Sequence, residues 1–171
     1  SLKTIQSILE SLKSGYMKPV PPPTLTPVPP PTLAPVPKVS GEATGFIPSI
    51  LATIKEVRFY EGSDYGAEFG NRQYLRFFDG SDARFIFFEI TLFYPYQYAS
   101  QSFDLEYVYY RSGVLVGAST QSFSTVQGYT GSVHTDGWGS SIRGGFYAPG
   151  SYVAEFYVDG VLIATGEFGI Y

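Results

Sequence analysis

Cysteine is absent from this 171-residue chain, so it forms no disulfide and offers no thiolate to a metal, and its redox compartment stays open. Charge is sparse too, at 15% of residues. No run of about 18 apolar residues is present to span a membrane as a helix. The single histidine, His134, cannot make a zinc site by itself where no thiolate can join it. What the chain has in quantity is aromatic rings, with 15 Tyr, 14 Phe and 1 Trp, and they are unevenly placed. Up to Thr44 there is one, Tyr16, among most of the 13 prolines; all the others follow Gly45. Only the second part can bury a core.

The net charge of −4 divides along the same line. Lys3, Lys13, Lys18 and Lys38 against Glu10 and Glu42 leave the first 44 residues at +2, and the remainder at −6. An acidic folded part repels phosphate backbones, which predicts no nucleic-acid ligand. Abundant Tyr, Ser and Gly with little charge point to an extracytoplasmic protein, periplasmic or secreted, with the cytoplasm left open. The chain begins at Ser1 rather than Met, which is compatible with a signal peptide or anchor ahead of it.

Three regions follow. Over residues 1–16, Leu2, Ile5, Ile8, Leu9 and Leu12 fall at helical spacing with Lys3, Glu10 and Lys13 opposite, which predicts a short amphipathic helix docking on its own domain or on a neighbouring subunit; Gly15 ends it. Residues 17–44 hold an octet, Pro-Val-Pro-Pro-Pro-Thr-Leu followed by Thr or Ala, repeated from Pro19 and Pro27. Proline fixes φ near −65° and removes donors, so the repeat reads as a polyproline II arm that extends roughly 60 Å at about 3.1 Å per residue. Its PxxP registers are the kind that aromatic-lined grooves grip, and Pro21, Leu25, Pro29 and Leu33 are its candidate contacts. Ile47, Ile50, Leu51 and Ile54 echo the first helix, and Pro48 suits a first helical turn.

From Glu56 the pattern turns to strands, in a domain spanning residues 45–171. The firmest signal is Tyr152 to Val158 and Val161 to Phe168 joined by Asp159-Gly160, since Asp-Gly supplies the two positive φ values of a type I′ turn. Regular spacing there sets Val158 opposite Val161 and Phe156 opposite Ile163. Ser112-Gly113 predicts a second hairpin. The run Ala83 to Tyr94 puts Ile86, Phe88, Ile90 and Leu92 on one face, with Phe85 and Phe87 on the other. About seven or eight strands, with turn signals roughly every ten residues, predict an all-β antiparallel sandwich.

The closing pattern of Trp138, Tyr147-Ala-Pro-Gly-Ser-Tyr152, Glu155-Phe-Tyr-Val-Asp-Gly160 and Gly166-Glu-Phe168 resembles the end of immunoglobulin-like β-sandwich modules appended to bacterial multidomain proteins. That resemblance implies an immunoglobulin-like fold and an accessory role, and transfers no catalytic residue.

Two chemical constellations bear testing. Ser132, His134 and Asp136 alternate, which in a strand spaces them about 7 Å apart on one face, too far for a hydrolase triad's direct bonds. Glu61-Gly-Ser-Asp64 and Asp79-Gly-Ser-Asp82 bring carboxylates to loops but lack calcium-loop spacing, and such turns form for conformational reasons alone. The expectation is therefore no enzyme, no metal and no cofactor. The aromatic excess suggests a contact face that includes Tyr107, Tyr109 and Tyr157 beside Phe85, Phe87 and Tyr110. Together these predict a non-catalytic accessory subunit that binds other proteins, those of a membrane-associated complex among the candidates, with the arm wrapping or tethering. The alternative is a carbohydrate-binding module at a cell surface.

Overall fold

The computed structural model describes residues 45–171 other than Arg143. The expected helix and proline arm, and with them Leu2, Ile5, Ile8, Leu9, Leu12, Pro21, Leu25, Pro29 and Leu33, lie outside the described residues.

Among the described residues nine strands form in chain order: β1 Phe46–Ile47, β2 Ala52–Gly62, β3 Phe77–Phe78, β4 Phe85–Phe93, β5 Ser102–Arg111, β6 Val114–Ser124, β7 Gly131–Gly139, β8 Gly150–Val158 and β9 Val161–Ile170. They make a four-stranded sheet in the order β1-β2-β4-β7 and a five-stranded sheet in the order β3-β9-β8-β5-β6. The pairings are antiparallel, except that β3 runs parallel to β9, so the second sheet is mixed where a purely antiparallel one was expected.

Strand periodicity explains the core. Ile86, Phe88, Ile90 and Leu92 alternate along β4 and are all buried, as are Phe103, Leu105, Tyr107 and Tyr109 along β5. Two inward faces meet there, with Phe88 packed edge-on against both Tyr107 and Phe156 at about 5 Å between ring centroids. Each such ring fully removed from water contributes roughly 1.5–3 kcal/mol.

Both short turns form where the dipeptides require them. Asp159 and Gly160 have φ of 53° and 74°, and Ser112 and Gly113 have 49° and 80°, the left-handed pair that a type I′ turn needs. A bulge sits between Phe156 and Tyr157, so Phe156 faces Ala164 rather than the expected Ile163, while Val158 does face Val161. The extra residue turns both Ile163 and Ala164 toward the core.

The segment echoing the first helix behaves differently from its spacing. Pro48–Ile50 makes one 3₁₀ turn, Leu51 caps it at φ 52°, and the chain is already in β2 by Ala52. Alternation over Ala52, Ile54, Val57 and Phe59 lets β2 bury one face in the sandwich, and burial there outweighs a short helical pattern. The outer face of the four-stranded sheet is not bare either. Tyr60 and Phe87, stacked at 5.2 Å, are buried on that side, and so is Glu89.

Two packing details generate tests. A Cβ on Gly166 would meet the Phe59 ring at 2.7 Å, where Phe59 is already pressed on Phe168 at 4.9 Å. Gly166→Ala is expected to destabilise the domain by about 1–3 kcal/mol in urea unfolding, since a packed ring must shift to admit the methyl group. Tyr109 is buried against Trp138 at 4.5 Å, and its hydroxyl has no hydrogen-bond partner among the described residues. Tyr109→Phe removes an orphaned donor and is expected to raise stability by ~1 kcal/mol; a loss of that size would refute the orphan assignment.

Candidate functional site

Two residues of the expected contact face, Tyr107 and Tyr109, go to the core, while Phe85 and Tyr110 stay half-buried. Tyr107 and Tyr109 are 3% and 0% exposed, because on β5 they share the inward face with Phe103 and Leu105. The Tyr107 hydroxyl donates to Asp136, and burial together with that carboxylate pushes its pKa up to about 12. Phe87 is buried on the opposite side of the molecule. Tyr157 alone of the three predicted tyrosines remains on an outer face, half-buried, donating to Glu155 at 2.6 Å; that bond raises its pKa to about 12.

Two polar clusters serve the scaffold. Glu89 is fully buried, and its carboxylate is met by the guanidinium groups of Arg58 and Arg72 and by the Tyr74 hydroxyl at 2.7 Å. Desolvation alone would raise its pKa, but the bonds from Tyr74, Arg72 and Arg58 outweigh it and hold the carboxyl below its ordinary range. Because Arg72 and Tyr74 belong to the connection between β2 and β3, this ion cluster pins that connection over the outer face of the four-stranded sheet.

Ser132, His134 and Asp136 do share one face of β7, opposite Leu92, Ile90 and Phe88. The expected separation is corrected in one respect: Ser132 Oγ and His134 Nε2 lie 2.7 Å apart, since side chains two residues apart on one face can lean along the strand. Asp136 does not complete a triad; it takes its hydrogen bonds from Tyr107 and the Gly137 N–H. His134 sits between Phe103 and Phe123, and burial depresses its pKa to about 4, so it is neutral near pH 7. In the second carboxylate loop, Asp79 turns inward on its own turn, accepting from the Ser81 N–H and hydroxyl at 2.8 and 2.7 Å.

A groove of about 520 Å³ runs along one flank between β2 and β9. Phe59 and Phe168 floor it, and Glu56, Arg58, Arg76 and Glu167 bring both signs of charge to its lining.

A group of three exposed rings lies elsewhere, at one end of the sandwich. There the β4–β5 connection, residues 94–101, meets the β6–β7 connection, residues 125–130. Tyr98 is 85% exposed, Tyr129 63% and Tyr96 54%. These loops are tied together rather than loose: Gln97 N–H donates to Tyr129 O at 3.2 Å, Gly128 N–H to Gln97 O at 2.8 Å, and Val126 N–H to the Tyr94 hydroxyl at 3.0 Å. Buried Thr125 closes the base, accepting from Gln101 N–H at 2.9 Å. Tyr96 and Tyr98 pack edge-on at 5.0 Å. Neither loop contains a charged residue. Sequence reading missed this tip because its tyrosines fall in segments taken only as connections; Tyr-Pro-Tyr-Gln-Tyr at 94–98 was the available signal.

No protein-family model and no curated protein matches the chain. Among solved structures it is similar to the Pseudomonas fluorescens alkylpurine DNA glycosylase AlkC bound to DNA containing an abasic site analog, at 18% identity and a TM-score of 0.39. The match covers 56% of this chain and 27% of that one, so it spans about a quarter of the glycosylase. The expectation that this chain is not an enzyme stands corrected beside that glycosylase, but at a TM-score of 0.39 the likeness assigns neither an activity nor a ligand to this chain.

The two buried ionisable groups predict an acid profile in two steps. His134 titrates near 4 when folded against 6.5 ordinarily, so as pH falls the unfolded chain takes up the proton first. Stability is lost between about pH 6.5 and 4, on the order of 3 kcal/mol. The depressed carboxyl of Glu89 contributes stability above the ordinary carboxylate range and loses it as it protonates at lower pH. Urea midpoints across pH 7 to pH 3 test both steps. His134→Gln is expected to flatten the upper window only, and a wild-type profile already flat there would refute the assignment.

Proposed function

We propose that this chain is a protein-binding subunit or module of a larger assembly, which presents its tyrosine tip to a partner while the proline-rich residues 17–44 tether or wrap. The observation that carries the reading is the tip itself: three exposed tyrosines on two loops that hydrogen-bond to each other. Rigid tyrosines supply large, amphipathic contact area at low entropic cost, and uncharged Ser, Gln, Gly and Thr around them supply adaptable hydrogen bonds. Depletion of charge with enrichment of Tyr is the composition of a binding patch's centre.

The same reading favours an immunoglobulin-type sandwich. The order β2-β4-β7 facing β3-β9-β8-β5-β6 corresponds to strands A-B-E facing A′-G-F-C-C′ of that fold. The Tyr152 hydroxyl bonds back to Ala148 O at 2.7 Å as β8 begins, in the manner of a tyrosine corner. On this correspondence the tip consists of the B–C loop and the loop following C′, at the end where antibody variable domains carry their binding loops. Sparse charge and abundant Tyr and Ser support an extracytoplasmic setting.

A photo-reactive amino acid at position 98, introduced into the full chain in its native host, tests the proposal. A discrete protein adduct, lost when Tyr129→Ala is added and unaffected by Leu162→Ala on an outer sheet face, is expected. Tip variants that leave every protein adduct intact would sink it, as would saccharide binding on a glycan array abolished by Tyr98→Ala.

A further inference from the structure

The five-stranded sheet ends on β6, which pairs with β5 on one side and, among the described residues, with no strand on the other. A sheet edge of this kind is a row of unsatisfied donors and acceptors, and proteins usually blunt it with charge, proline, a short strand or a cover. The other edges here are blunted. β1 and the Leu75 N–H, which donates to Phe59 O at 3.0 Å, occupy β2's outer edge, and β3 occupies the end of β9. Gly131, Gly137 and Gly139 weaken β7, and Asp136 charges it. β6 has one glycine, Gly117, with a bulge beside it, but from Ala118 to Ser124 none of these devices is present among the described residues. Its eleven residues, Val-Leu-Val-Gly-Ala-Ser-Thr-Gln-Ser-Phe-Ser, include no charge and no proline, and all but Gly117 and Phe123 are exposed or nearly so among the described residues.

The register identifies which backbone groups are free. Thr125 N–H donates to Gln101 O at 2.9 Å, and the pairing from Ser124↔Ser102 to Gly117↔Tyr109 is unbroken, so the odd-numbered residues bond to β5. Ala118, Thr120 and Ser122 therefore turn both N–H and C=O outward.

We propose that β6 pairs antiparallel with β6 of a second copy of this chain, about a two-fold axis at Thr120, joining two five-stranded sheets into one. Thr120 then faces its own counterpart and Ala118 faces the second copy's Ser122, for about six backbone hydrogen bonds between the chains. A second copy fits this edge for electrostatic reasons. The molecule is acidic, so close approach through most surfaces opposes like charges, whereas β6 brings none to the seam. The nearest carboxylates, Asp104 and Glu106 on β5, would stand about 14 Å from their counterparts, three strand spacings away and beyond the ~8 Å screening length at physiological salt. Across the seam the outer face opposes only small or hydroxylated side chains, Ala, Thr and Ser, which pair without a clash.

Analytical ultracentrifugation of the full chain at about 0.2 mM in physiological salt tests this, at a concentration where an interface of modest area populates its dimer. The wild type is expected to dimerise. Thr120→Pro removes an outward N–H without touching the β5 ladder, and Thr120→Lys sets two charges at the axis; each is expected to raise the dissociation constant by at least about tenfold. The absence of cysteine allows a direct control, because Thr120→Cys should oxidise to a covalent dimer and Glu167→Cys, on the opposite flank, should not. A monomeric wild type, a dimer untouched by Thr120→Lys, or cross-linking at position 167 in place of 120 would each overturn the proposal.

Discussion

A carboxylate with no access to water stays ionised only when enough donors replace the lost hydration, and Glu89 is that constraint here. Its position is in the middle of β4, on the face of the four-stranded sheet that points away from the sandwich core. Arg58 comes from the neighbouring strand, whereas Arg72 and Tyr74 come from the connection that follows it. The Arg58 guanidinium also lies 3.8 Å from the Tyr74 ring, so charge, hydrogen bond and cation–π contact converge on one point. This convergence fixes a 14-residue connection that has little regular structure of its own, and the connection in turn covers Tyr60 and Phe87. Removing the carboxylate would leave two cations facing each other over an apolar sheet, a far larger penalty than the modest worth of an exposed ion pair.

That arrangement also accounts for what could and could not be read from the residues. The Asp159-Gly160 and Ser112-Gly113 turns were legible because a two-residue loop demands a specific backbone conformation, and few dipeptides supply it. The inward face of β4 was legible because alternation has a period that packing enforces. The fate of Phe87 was not, since an alternating strand gives the same pattern whether its second face meets solvent, a partner or the chain's own loop. Only the distant pairing of Glu89 with Arg72 decides among these, and a separation of 17 residues leaves no local mark. Tyr107 and Tyr109 lie in the core for a related reason: Phe88, Tyr107, Tyr109 and Phe168 interlock edge to face, and Trp138 stacks flat on Tyr109, so one interior holds more rings than their number alone suggests.

The candidate site was legible only as composition. Aromatic excess pointed to strand positions, whereas the rings grouped at the tip lie on connections. Rings at the inward positions of a strand are drawn into the sandwich by its second layer, whereas Tyr96, Tyr98 and Tyr129, on connections at its end, have no layer to enter. Tyr94 and Tyr98 illustrate the difference. Four residues apart, one is buried and donates rigidity to the loop through its hydroxyl, and the other is 85% exposed.

Edge and tip are geometrically linked, because β6 runs toward the tip and ends one residue before Thr125 at its base. Antiparallel pairing through β6 reverses one copy relative to the other, so the two tips would point in opposite directions from a common sheet. The paired strands extend roughly 36 Å at about 3.3 Å per residue, which places the tips at opposite ends of the pair. Two sites facing apart cannot engage neighbouring points on one surface, and so gain no avidity there. They can instead join two separate partners. A chain with this geometry would act as a connector in its assembly, with the seam setting the spacing between the partners and the tyrosines choosing them.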